Sequence, residues 1–62
     1  MASLNAMVIS VSGMVDTNDL NAWENEFVQS IFEQTDEGKD TRTLSEKQID
    51  VLTRIYRKHF AS

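Results

Sequence analysis

No proline interrupts the 62 residues, and only two glycines do, Gly13 and Gly38. Because these two residue types penalise a helix interior most, almost nothing outside those points prevents continuous helix. They divide the chain into three pieces. With no cysteine present, neither a disulfide nor a thiolate metal site can hold the pieces together. A chain this short buries little surface, so close helix packing or self-association has to supply its stability. The hydrophobic fraction of 40% and charged fraction of 26% match those of globular domains, so the chain is expected to fold.

The third piece carries a complete helix signal. Ser45 and Gln48 have the spacing of a capping box, and Leu44 and Ile49 that of a hydrophobic staple. Ile49, Leu52, Ile55, Tyr56 and Phe60 then recur at spacings of three and four, and Arg57, Lys58 and His59 suit the negative end of the helix dipole. This predicts a helix over about 46–60. In the second piece Leu20, Trp23, Phe27 and Ile31 form a stripe, with Asp16 as the expected cap, Thr17 or Asn18 as alternatives, and Val15 and Leu20 as its staple, predicting a helix over about 17–34. A polar connection joins the two, ended on the helix side by the Thr35 to Gly38 segment.

The expected architecture is therefore all-α: an antiparallel two-helix hairpin, or helix-loop-helix, over residues 16–62, preceded by an irregular or partly disordered segment over 1–15. Met7 to Val11 is β-branched and loosely alternating, which favours a strand, yet a lone strand has no partner in the chain except across a dimer. Met14 offers an internal start that would leave the hairpin whole. On a helical wheel Val28 and Phe32 fall to one side of the main stripe, so either the opening segment or a second copy must cover them. The aromatic residues are expected to fill a miniature core, with Phe32 and Val28 left over as a docking patch.

Charge is divided along the chain: eight of the ten acidic residues precede Thr41, and five of the six basic residues follow it. Folding the halves together would pair them. Lys47, Arg54 and Lys58 share the face of the last helix opposite its apolar stripe, with Val51 between them, a ridge that could follow phosphates. The acidic balance opposes that reading. Catalysis is not expected, since the only imidazole, His59, sits near the chain end and Glu24 with Glu26 is expected on solvated surface. Asp16 to Asn21 begins like a calcium loop, but Leu20 takes a ligand position and no glycine follows. No metal and no cofactor is expected. The apolar opening lacks the basic start of a targeting signal and is too short to cross a bilayer, which points to a cytoplasmic protein without a membrane role.

The pattern Trp23-x3-Phe27-x2-Ser30-Ile31, a polar linker, then Leu44-Ser45-x-Lys47-Gln48-x3-Leu52-x2-Ile55-Tyr56 resembles the carboxyl-terminal helical module of UvsW-type phage recombination helicases and their small stand-alone companions. The resemblance spans about residues 16–60. It implies an accessory role in phage DNA replication, recombination or repair, in the host cytoplasm, by contact with a helicase, another replication protein or DNA. It carries over no catalysis, because the phosphate-cradling loop of a motor is missing from this sequence.

The leading expectation is thus a non-catalytic interaction module that binds a protein partner through Val28 and Phe32 on one side and Lys47, Val51, Arg54 and Lys58 on the other. Direct nucleic-acid binding through the basic face is a second reading. A phage inhibitor of a host enzyme or defence complex, with the acidic helix as decoy, is a third, and a homodimer is compatible with all three.

Overall fold

The computed structural model describes residues 3–60, and its helices are α1 (Leu4–Ser12), α2 (Ala22–Gln34) and α3 (Glu46–Phe60). The described residues are all-α, but they form a three-helix domain, and the two-helix hairpin with an irregular opening segment does not describe it. Residues 1, 2, 61 and 62 of the expected segments lie outside the described residues.

The opening segment is the correction that matters. Met7 to Val11 is helical, although its β-branched residues favour a strand. An isolated strand would leave its backbone groups unpaired, whereas a helix satisfies them internally. Helical spacing also gathers Leu4, Val8 and Val11 on one edge, with Val8 and Val11 fully buried and Leu4, like Val15 in the turn that follows, packed against the core. Ser3 starts the helix, its hydroxyl accepting from the Ala6 N–H at 3.1 Å. Tertiary burial here outweighs intrinsic propensity.

α2 begins later than the Asp16 cap would place it. Asn21 is the cap: its side chain accepts from the Glu24 N–H at 2.8 Å, while the Glu24 carboxylate accepts from the Asn21 N–H at 3.0 Å. This reciprocal pair satisfies two orphan donors, where Asp16 alone would satisfy one. Asp16 instead occupies a left-handed turn at φ 64°, where its N–H donates to Asn25 Oδ1 at 2.9 Å and ties the α1–α2 connection to α2. At α3, Ser45 and Gln48 exchange the same pair of bonds, at 2.9 and 3.1 Å.

α1 packs against both other helices, while the backbones of α2 and α3 approach each other at few points. α2 and α3 still run antiparallel, cross-linked by Gln34 with Gln48 at 2.9 Å at one end and by Lys58 with Glu24 at 3.7 Å at the other. The core is aliphatic: Val8, Val11 and Met14 meet Leu20, Val28, Ile31, Leu44, Leu52 and Ile55. No aromatic ring is buried among the described residues, so the expected aromatic core is replaced by branched chains. Three helices surround a narrow interior that valine, leucine and isoleucine fill.

A polar clamp fixes the start of α1 against the α2–α3 connection. Asn5 Nδ2 donates to the carbonyls of Gly38 at 2.8 Å and Lys39 at 3.0 Å, and Asn5 Oδ1 accepts from the Thr41 hydroxyl at 3.1 Å. The connection leaves α2 through Asp36, Glu37 and Gly38, all at positive φ. Buried Thr35 holds this turn, its hydroxyl donating to the Ile31 carbonyl at 2.7 Å and accepting from the Gly38 N–H at 3.1 Å. Gly38 is needed twice over. Its φ of 87° disfavours a side chain, and a Cβ there would stand 2.8 Å from Ile9 Cγ1.

Two substitutions test the clamp by urea unfolding. Asn5→Ala should cost about 1–3 kcal/mol by leaving the part-buried Gly38 carbonyl without its donor, and Gly38→Ala a similar ~1–3 kcal/mol through strain and displacement of Ile9. An unchanged midpoint in both would show that the clamp contributes nothing.

Candidate functional site

The residues singled out from the sequence divide between interior and surface. Val28 is fully buried and belongs to the core, so it is not a docking residue. The third element that the wheel required over Val28 and Phe32 is α1. Phe32 is half-buried against the core and forms, with Val15, the apolar part of an open groove between the end of α1 and α2. Ser12, Gln29 and Glu33 complete the lining, and the groove holds about 230 Å³.

Lys47, Arg54 and Lys58 are exposed on α3, with Val51 half-buried between them. They form a ridge, but one that carries its own counter-charges. Arg54 pairs with Asp50 at 3.1 Å, and Lys58 with Glu24 of α2 at 3.7 Å. A surface tracking phosphates would present these cations unneutralised. The DNA-binding description is thereby weakened at two of its three cations.

Glu24 departs from its expected place. It is only 8% exposed, because the capping box draws its carboxylate back over the helix end and Lys58 covers it. Both interactions place negative charge at the positive end of α2. This pair is also the only salt bridge found between helices among the described residues, so the acidic and basic halves remain largely unpaired after folding.

Sequence reasoning missed which rings would stay outside. Trp23 is 59% exposed and stacks on half-buried Phe27, with centroids 5.5 Å apart and planes 10° from parallel. Tyr56 and Phe60 stack likewise on α3 at 5.2 Å. Trp23, Phe27, Glu26 and Ser30 line a shallow depression of about 190 Å³. Each ring pair is spaced four residues apart, and that spacing reads equally well as a buried stripe or as a stacked surface pair.

Other chemistry is sparse. Nε2 of His59 is enclosed without a hydrogen-bond partner in the protein. Among the described residues no group of three or more His, Cys, Asp or Glu side chains is placed to hold a metal ion. No described helix is long and apolar enough to cross a membrane. In the α2–α3 connection Asp40 receives three hydrogen bonds from Arg42, one from its backbone and two from its guanidinium, each at 3.0 Å. The guanidinium and backbone donors hold the Asp40 carboxyl at about 2, below its ordinary 3.8.

Protein-family models, curated proteins and solved structures contain no match to this chain. The resemblance to the UvsW-type module, and the phage DNA-metabolism role it implied, therefore gain no support from them. The residues that carry the pattern have local uses instead: Ser45 and Gln48 cap α3, and Ile31, Leu44, Leu52 and Ile55 are core.

The Asp40 pairing predicts a titration. The folded carboxyl is depressed, so its contribution to stability is complete above the ordinary value of 3.8 and is lost as pH falls toward about 2. With Arg42→Ala, the Asp40 carboxyl followed by carbon NMR should return toward its ordinary value. No movement would mean that the pair does not form in solution.

Proposed function

We propose that this chain is a non-catalytic interaction module that binds a protein partner through the groove between α1 and α2. Phe32 carries the reading: a large ring, packed on the core below and open to the groove above, beside exposed Gln29 and Glu33. A ring held by a packed scaffold and rimmed by polar groups is the kind of anchor on which protein contacts concentrate their energy. The groove would receive an apolar side chain of the partner, with Glu33 and Gln29 pairing with donors around it. Such a partner would meet the module in the cytoplasm.

The test uses the rim. Phe32→Asp would disturb the core as well as the groove, because Phe32 packs against both. Gln29→Arg and Glu33→Arg fill or reverse the rim at exposed positions and should leave circular dichroism and melting unchanged. A protein captured by the unaltered chain and lost, with at least roughly tenfold weaker binding, from both rim variants would support the proposal. Capture that both variants retain would place the contact elsewhere.

A further inference from the structure

A second, independent surface lies on the other flank of α2. Trp23, Phe27, Ser30 and Gln34 follow one another at spacings of four, three and four, so they form one strip along the helix. Lys47, Val51, Arg54 and Lys58 repeat the same spacing on α3. The two strips border one seam. Gln34, at the end of the first, bonds to Gln48, the neighbour of Lys47, and Lys58, at the end of the second, pairs with Glu24, the neighbour of Trp23. The strips therefore lie side by side and antiparallel. α1 leaves them open: Trp23, Ser30, Gln34, Lys47, Arg54 and Lys58 are exposed, and Phe27 and Val51 are half-buried.

Their chemistries differ. The α2 strip is aromatic and is flanked by Glu26, and α2 contains no basic residue; the α3 strip carries three cations around an apolar valine, Arg54 and Lys58 also pairing within the chain with Asp50 and Glu24. We infer that the open face of the α2–α3 pair is a self-association surface whose occupant is a second copy of this chain. A two-fold axis parallel to the helices would lay α2 of each copy over α3 of the other. That operation closes the assembly as a dimer and brings unlike strips together twice. A two-fold axis across the helices would instead oppose like strips, setting the Lys47, Arg54 and Lys58 strips of the two copies against each other, which charge repulsion disfavours.

In the closed dimer the seam's antiparallel register sets Glu26 near Arg54 of the second copy and covers the Trp23–Phe27 pair. Four helices then share one layered interface, an arrangement that compensates for the small core of a single chain.

Sedimentation equilibrium of the full chain, with emission from its single tryptophan, tests this inference. At ~10 mM salt the chain should reach twice its monomer mass on concentrating, with a blue shift of Trp23 emission. Its Kd should rise roughly tenfold toward ~1 M salt as the charged pairs are screened. Trp23→Ala should remain monomeric with unchanged circular dichroism. Glu26→Lys and Arg54→Glu should each weaken the dimer, and the double exchange in one chain should restore it. A chain that stays monomeric at low salt overturns the inference, as does a larger assembly. A dimer whose Kd is indifferent to Trp23→Ala and to the charge exchange overturns it equally.

Discussion

The covered edge of α1 holds the domain together. Val8 and Val11 have no exposed surface, Leu4 and Met7 extend their contact along the helix, and Val15 extends it just beyond the helix end. Fully burying two such side chains is worth about 3–6 kcal/mol, which is comparable with the whole net stability expected of so small a domain. The backbones of α2 and α3 approach each other at few points, and their buried side chains meet in the cluster that α1 completes. Their polar links are a glutamine pair and one ion pair, both at helix ends. Asn5 adds direction to this apolar contact by fixing which end of α1 meets the α2–α3 connection.

The size of that interior determines what remains for the surface. Among the described residues nine aliphatic side chains fill it, so the aromatic rings are displaced outward, Phe32 to one flank of α2 and Trp23 with Phe27 to the other. The charge asymmetry survives in the same way, because among the described residues only the Glu24–Lys58 ion pair joins one helix to another. Two chemically different faces result from one packing solution. One is an apolar groove with a polar rim, and the other is an aromatic strip flanked by Glu26 and lying beside a strip that carries Lys47, Arg54 and Lys58.

Much of α3 was legible in the sequence, because its capping residues, its apolar stripe and its basic last turn all act within the helix itself. The start of α2 was less so. Asp16, Asn18 and Asn21 all have the chemistry of a cap, and only the completed exchange between Asn21 and Glu24 distinguishes them. α1 was hidden because its β-branched residues favour a strand locally, and what reverses that preference is burial against helices distant in sequence. The misplacement of Trp23 has a related cause. A four-residue spacing shows that two rings share a face but not which face the core will take, and α1 claims the Val28 and Ile31 side. Asn5 gave no signal at all, since its partners lie more than thirty residues away.

The most direct test of this account is the thermal unfolding, followed by circular dichroism, of a chain that begins at Met14 and so lacks α1. The account predicts loss of most helical signal and of any cooperative transition, since α2 and α3 would expose Val28, Ile31, Leu52 and Ile55 with nothing to cover them. A truncated chain that stays helical and melts as sharply as the full one would show that α2 and α3 form a self-sufficient hairpin, with α1 only an addition to it.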